Sequence, residues 1–326
     1  MRILVTGGAG FIGSEFVRQL LRGSLAVTAD HVTVIDKLTY SGVLANLDPV
    51  AGLPGYSFVR ADICDPVAVD EVMAGQDAVV HFAAESHVDR SISDAGPFVT
   101  TNVLGTQVLL DAARRHGVGR FLHVSTDEVY GSISEGAWRV GQPLAPNSPY
   151  AASKAASDLM ALAQHRTHGM DVVLTRCSNN YGPYQFPEKV IPLFITRLLA
   201  GNPVPLYGDG SNVRDWLHVS DHCRGIALAL SRGKAGRVYH LGGGQEMSNR
   251  ELVGELLKAT GRSWDLVERV ADRKGHDLRY ALDIEESREQ LGYEPLVSFA
   301  DGLADTISWY RDNRSWWEPL LPAARA

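Results

Sequence analysis

Short apolar runs recur along the first half of the chain: Ile3-Leu4-Val5, Val32-Thr33-Val34-Ile35, Phe58-Val59, Ala78-Val79-Val80, Phe121-Leu122-His123-Val124 and Val172-Val173-Leu174. Runs this short, apolar on successive residues and closed by polar or glycine turns, predict strands buried on both faces. Strands are expected at residues 2–6, 32–35, 56–61, 78–82, 121–124 and 172–176. Helix-length stretches with apolar residues three and four apart lie between them. One follows Gly13 to about Leu21, and Asp65-Pro66 opens a short one. A third runs from Phe98 to His116. A fourth runs from Tyr150 to about His168, with Ser148 as cap and Pro149 in its first turn. Strand and helix alternating in this way predict an α/β fold built on a doubly wound parallel sheet.

The alternation loosens near Tyr181. A loop rich in Pro, Gly and Asn is followed by a helix at 190–200, short strands at 204–210 and 213–219, and Val238-Tyr239-His240-Leu241, expected to return to the main sheet. Asn249 is expected to cap a helix to about Thr260, and two further helices and a Trp-bearing tail finish the chain. The expected division is a dinucleotide-binding domain at 1–180, rejoined by about 236–250, and a C-terminal α/β substrate lobe at 181–326.

Composition narrows the partners. The chain has 326 residues, 45% hydrophobic and 21% charged, as in an ordinary soluble globular protein. A formal net charge of -7 argues against nucleic acid. The apolar run before Gly7 is too short for a signal peptide, and no stretch is long enough to cross a membrane. Cys64, Cys177 and Cys223 are far apart and odd in number, which suits buried thiols in a reducing cytoplasm.

Candidate chemistry follows the strand ends. Gly7, Gly10 and Gly13 form GxxGxxG between the first strand and its helix. Glycine there lets the backbone approach a pyrophosphate, and the helix N-terminus offers free N–H groups. The fold expected is therefore Rossmann-like. Asp36, ending the second strand, is placed for a ribose 2′-hydroxyl and disfavours a 2′-phosphate, so NAD is expected over NADP. Asp62 is placed at the adenine edge, and Ala83 to Ser91 forms wall and floor of the crevice. Beyond the fifth strand comes Ser125-Thr126-Asp127-Glu128-Val129-Tyr130-Gly131, and then Tyr150 and Lys154 on one helical face. A lysine beside a phenol is expected to lower the phenol's pKa, giving a base for a sugar hydroxyl. Asp127 and Glu128 are two carboxyls able to titrate apart, one as acid and one as base. Arg214, Arg273, His276 and Arg279 form a basic set suited to a second anionic ligand such as a nucleotide sugar, with Tyr207 placed to stack on its base. His218 and His222 have helical metal-ligand spacing, but no third ligand is evident and no metal is expected. Trp216, Trp309, Trp316 and Trp317 are read as core packing or a subunit contact.

These motifs together resemble a known family. GGAGFIG, DKLTY, AAESHVDRS, STDEVYG, YAASK, CSNNYGPYQFPEK, YGDG, NVRDWLHV and DRKGHDLRY are similar to those of the dTDP-glucose 4,6-dehydratases, extended short-chain dehydrogenase/reductases, from Met1 to about Trp317. The resemblance implies an NAD-dependent lyase of bacterial deoxysugar synthesis, for antibiotic or cell-wall sugars. In it Tyr150, aided by Lys154, takes the proton of the glucose 4-hydroxyl while C4 gives hydride to NAD. Glu128 removes the C5 proton, Asp127 protonates the departing 6-hydroxyl, and hydride returns to C6. Thr126 bonds the sugar near C4.

For NAD the resemblance implies Gly7, Gly10, Phe11, Ile12, Gly13, Asp36, Lys37, Leu38, Thr39, Asp62, Ile63, Phe82, Ala83, Ala84, Glu85, Ser86, Thr101, Tyr150, Lys154 and Asn180. For the nucleotide sugar it implies Ser86, Thr126, Asn179, Lys189, Val190, Pro205, Leu206, Tyr207, Arg214, Asn249, Asp272, Arg273, Lys274, Gly275 and His276. It also implies a homodimer through the 98–116 and 150–168 helices. Lys274 stands where the family loop usually has Pro, and the connection from Gly131 to Ser148 is short. The rival readings are a UDP-sugar 4-epimerase or decarboxylase, which has no need of the Asp127-Glu128 pair, and a non-catalytic NAD-binding sensor, which would be expected to lose Tyr150 or Lys154.

Overall fold

The structure is a computed structural model that describes residues 1–272 and 276–321. Among the described residues there are twelve strands: β1 (Arg2–Thr6), β2 (His31–Asp36), β3 (Tyr56–Arg60), β4 (Ala78–His81), β5 (Arg120–Thr126), β6 (Val172–Cys177), β7 (Asn179–Tyr181), β8 (Val204–Tyr207), β9 (Val213–His218), β10 (Val238–Leu241), β11 (Glu246–Ser248) and β12 (Val267–Val270). Seven form one parallel sheet in the order β10-β6-β5-β4-β1-β2-β3. The chain winds outward from β1 in one direction and then, from β4, in the other. That reversal leaves a crevice beyond the carboxyl ends of β1 and β4, the ligand position of a Rossmann-type sheet.

The strand residues explain the sheet. Ile3, Leu4, Val5, Val79, Val80, Phe121 and Leu122 are wholly buried, because helices cover both faces. Phe11–Leu21 and Val219–Arg232 pack with one core cluster that includes Phe16, Val17, Ile226 and Leu230. Pro66–Met73, Thr106–Arg115 and Pro149–His168 pack with another that includes Met73, Leu109, Leu110 and Ala161. A further cluster lies around Phe194, Leu198, Leu252, Leu256, Leu303 and Tyr310, under the small sheet β11-β9-β7 and the parallel pair β12-β8.

Two local expectations need correction. The 98–116 segment is not one regular helix. Gly96–Phe98 runs into a π-helical stretch, Val99–Gly105, before Thr106–Arg115 resumes the α-helix. The wide turn carries Asn102, whose amide holds Glu85 through N–H and carbonyl (2.8 and 3.0 Å) and donates to Ser153 Oγ at 2.8 Å. π-Turns of this kind occur where a helix is shaped for a site. The helix Asn249–Thr260 is capped by Ser248, not Asn249. Ser248 Oγ accepts the Glu251 N–H and the Glu251 carboxylate returns to the Ser248 N–H, a capping box.

Candidate active site

The glycines meet the demands of the crevice. Gly7 has φ +68°, and a Cβ there would lie 2.6 Å from the Ala83 backbone; one on Gly13 would lie 2.3 Å from the Gly7 carbonyl oxygen. Gly10 precedes the helix Phe11–Leu21 without a capping side chain, and no acid lies in its first turn. Its leading N–H groups therefore face the crevice with no anion of the protein's own, a cradle that fits a pyrophosphate. Asp36 closes the far side. Its two oxygens accept N–H groups of Ala9 (3.0 Å) and Leu38 (2.8 Å), which aim the carboxylate while leaving lone pairs for ribose hydroxyls. Burial raises the Asp36 pKa, and those two N–H bonds oppose it.

Of the residues expected at NAD, all but Leu38 and Asp62 line one cavity of about 300 Å³. Leu38 packs against the sheet core at φ 57°. Asp62 bonds Lys37 Nζ (3.4 Å) and the Cys64 N–H (2.9 Å), and Lys37 also reaches Thr101 Oγ1 at 3.3 Å.

A second cavity of about 300 Å³ contains the expected Ser86, Asn179, Lys189, Val190, Pro205, Leu206, Tyr207, Arg214, Asn249 and His276. Thr126 lines the first cavity instead. Asp272 pairs with His276 Nδ1 at 2.6 Å, and Arg273, Lys274 and Gly275 lie outside the described residues. Of the basic set, Arg214 and His276 line this cavity together, while Arg279 is bonded by both carboxylate oxygens of Glu246 (2.6 and 2.8 Å). Arg214 lies over the Tyr280 ring at 4.5 Å and donates to the Asp277 carbonyl oxygen at 3.0 Å. Sequence reasoning missed Tyr280, Asp277 and Phe194 in this cavity; His87 lies in the stretch expected as its wall, and Trp216 packs in the core as expected while also lining the wall. The notice available was weak: Tyr280 ends the DRKGHDLRY motif, but the segment's spacing says nothing of what it faces. Trp309 and Trp316 do pack together, against Tyr184.

The two cavities share Ser86, Glu128, Asn179, Asn180, Gln185, Glu188 and Lys189, so they meet at Glu128. β5 brings Thr126 to this junction, and a 3-10 turn follows, Asp127–Tyr130, capped by Thr126 Oγ1 on the Glu128 N–H (3.3 Å). Asp127 is 2% exposed; Oδ1 accepts from Thr126 Oγ1 at 3.2 Å, and Oδ2 has no hydrogen-bond partner among the described residues. Burial first, then the charges of Glu128 and Asp215, hold the Asp127 carboxyl well above its usual range. A carboxyl raised in this way is suited to act as an acid, and it stands beside a half-buried Glu128.

Tyr150, in the first turn of Pro149–His168, is also buried. Its phenol lies well above its ordinary value, chiefly through burial and then Glu128, with a hydrogen bond to Thr126 opposing. The expected lowering by Lys154 is not what the protein alone provides. Lys154 Nζ donates to the Val124 carbonyl oxygen at 2.8 Å, and burial depresses the ammonium's own pKa, opposed first by Asp158.

Comparison with known proteins places this geometry. Residues 4–306 match the family model described as GDP-mannose 4,6 dehydratase. The chain belongs to that family. It is 65% identical over 98% of its length, and 96% of the relative's, to the dTDP-glucose 4,6-dehydratase of Streptomyces niveus. The crystal structure of DesIV, a dTDP-glucose 4,6-dehydratase from Streptomyces venezuelae solved with NAD bound, superposes with a TM-score of 0.98 at 63% identity, covering 98% of this chain and all of that one. A UDP-glucose 4-epimerase of Thermus thermophilus, also with NAD, shares the fold at 34% identity and a TM-score of 0.87, over 96% of this chain and all of that one.

Proposed function

We propose that the protein is an NAD-dependent dTDP-glucose 4,6-dehydratase, which converts dTDP-glucose to dTDP-4-keto-6-deoxyglucose and water. The observation that carries this reading is the buried Asp127, its carboxyl pushed above the usual range by burial, beside Glu128 where the cofactor and sugar cavities join. A 4-epimerase has no use for such an acid. NAD, when bound, supplies a reversible hydride acceptor and a positive ring that favours phenolate at Tyr150. The residues that would hold it are the glycine cradle, Asp36 and the Phe82–Ser86 wall.

The chain's own residues then divide the proton transfers. Tyr150 takes the proton of the 4-hydroxyl, and Thr126 orients that hydroxyl. The resulting 4-ketone makes the C5 proton acidic enough for a carboxylate, which it is not beside a plain alcohol. Glu128 takes that proton. Asp127, already protonated, gives its proton to the 6-hydroxyl so that it leaves as water. Lys189, Arg214 and His276 face the anionic diphosphate, while Tyr207 and Asn249 flank the nucleoside end.

The same reading makes residues 1–180, rejoined by about 236–250, the cofactor domain and 181–326 the sugar lobe; β10 pairing with β6 and the separate cluster around Phe194 and Leu252 support it. Val99, Leu104 and Leu159 expose apolar side chains on the 98–116 and 150–168 segments, as a homodimer through them requires. The three unbridged cysteines suit the cytoplasm.

Incubation with dTDP-glucose deuterated at C4 tests the proposal. The 4-ketosugar should form without added reductant, with the deuterium on the C6 methyl. Loss of the label to water, or epimerisation of UDP-glucose with no ketosugar, overturns it.

A further inference from the structure

Behind the Tyr150–Lys154 pair lies a layer of buried ionisable groups for which the reaction as written has no use. Asp158 is one helical turn past Lys154 and wholly buried. Its Oδ2 accepts from Arg176 Nε of β6 at 2.9 Å, and Oδ1 faces His123 Nε2 of β5 at 3.4 Å. Arg176 continues to the Tyr130 hydroxyl, which meets His240 Nε2 at 2.7 Å; His240 Nδ1 is 2.9 Å from the Asp283 carbonyl oxygen.

The histidines of this layer are neutral. Burial takes His123 and His240 down to about 4. His81 of β4, bonded to Thr6 (2.7 Å) and Thr106 (2.9 Å), is driven well below its usual value by burial. Burial likewise keeps the Cys177 thiol protonated. The groups around Lys154 are thus His81 from β4, His123 from β5, Cys177 from β6 and Asp158 from its own helix, with Asp127, Glu128 and Tyr150 lining the same cavity, while Arg176 reaches it only through Asp158. The charges behind Lys154 are Asp158 and Arg176. A buried ion pair is weak at stabilising a fold, since well-packed apolar residues of similar volume often serve as well. Its place, one turn behind the active lysine, points to use.

We propose that Asp158 and Arg176 are positioning residues, a buried dipole that sets the electrostatic potential in which the Tyr150–Lys154 pair works, with Asp158 holding Lys154 charged. This rests on the dehydratase reading. Removing the negative charge lowers the proton affinity of both phenol and ammonium, so it moves both limbs of the pH profile to lower pH. Removing the positive charge moves them up.

The test is single-turnover NADH formation against pH in the holoenzyme with dTDP-glucose. In parallel, tyrosinate absorbance is titrated without substrate, with the Tyr150→Phe curve subtracted. Asp158→Asn should shift both readouts down by about one to two pH units, from a unit charge roughly 6 Å away at an effective dielectric of about 20. Arg176→Gln should shift them up, the double variant should return close to wild type, and Arg176→Lys should stay there. If Asp158→Asn does not fold, Arg176→Gln and the double variant carry the test. Midpoints unmoved while rate or stability falls would mean a structural pair and overturn the inference. No NADH from the wild type would sink the dehydratase reading, and the Tyr150 titration alone would then decide this one.

Discussion

Asp127→Asn separates the chemistry of the proposed acid from its effect on the fold. The amide matches the neutral carboxyl in shape, so it enters a 2%-exposed site without adding a charge. Asp127 holds its proton more tightly in the fold than once unfolded, where it ionises near its usual value. The folded state thus binds the extra proton, and its contribution is complete at low pH and lost as pH rises toward the folded pKa. Over that window the slope is about 1.4 kcal/mol per pH unit for one proton. The variant has no such proton, so it should gain on the wild type by that amount per unit. With unfolding entropy of roughly 2.1 cal/mol/K per residue, the Tm gap should widen by about 2 °C per pH unit. Calorimetry of both proteins at pH values rising from the ordinary carboxylate range, at fixed NAD, measures it. In the same samples kcat should fall about 10²- to 10⁴-fold, the usual worth of a placed general acid, while NADH still forms. A Tm gap flat with pH would show that Asp127 is ionised in the fold, and the assignment of the acid would have to be given up.

Two other substitutions probe the neighbouring groups. Tyr150→Phe should bind cofactor normally but give no NADH in a single turnover with dTDP-glucose, read by absorbance; NADH at the wild-type rate would assign the first proton elsewhere. Gly13→Ala puts a methyl 2.3 Å from the Gly7 carbonyl oxygen, so the turn must open. NAD affinity by calorimetric titration should fall at least tenfold, against a loss of roughly 1–3 kcal/mol expected for overpacking, and an unchanged Kd would refute the close-approach argument.

The sheet was legible because its strands are short, apolar and buried on both faces, a pattern that survives without tertiary information. The strand-end chemistry was legible for the same reason: Asp36 and Thr126 sit where an apolar run stops. What escaped depends on contacts between distant residues. The Val99–Gly105 stretch reads as an ordinary helix, because a π-turn shifts the apolar stripe by one position and Asn102 gains its partners from Glu85 and Ser153. Arg279 looked free for a ligand because Glu246, which neutralises it, lies 33 residues earlier. The phenol's shift runs opposite to the expectation because a sequence gives the Tyr150–Lys154 spacing but not burial, which dominates at the phenol. Asp158 and Arg176 carry no motif; only the fold shows them as a buried pair.

The strand that completes the large sheet, Val238–Leu241, is joined to it only through β6. During synthesis, one flank of β6 must therefore wait, with its peptide groups unsatisfied, while the chain travels out through β7, β8 and β9 and back. A nascent or truncated chain that stops short of this strand carries an open, apolar edge ready to pair with another copy. The order in which the polypeptide is made thus sets a vulnerable interval, and a fragment ending before Val238 should appear as insoluble aggregate instead of a smaller soluble cofactor binder.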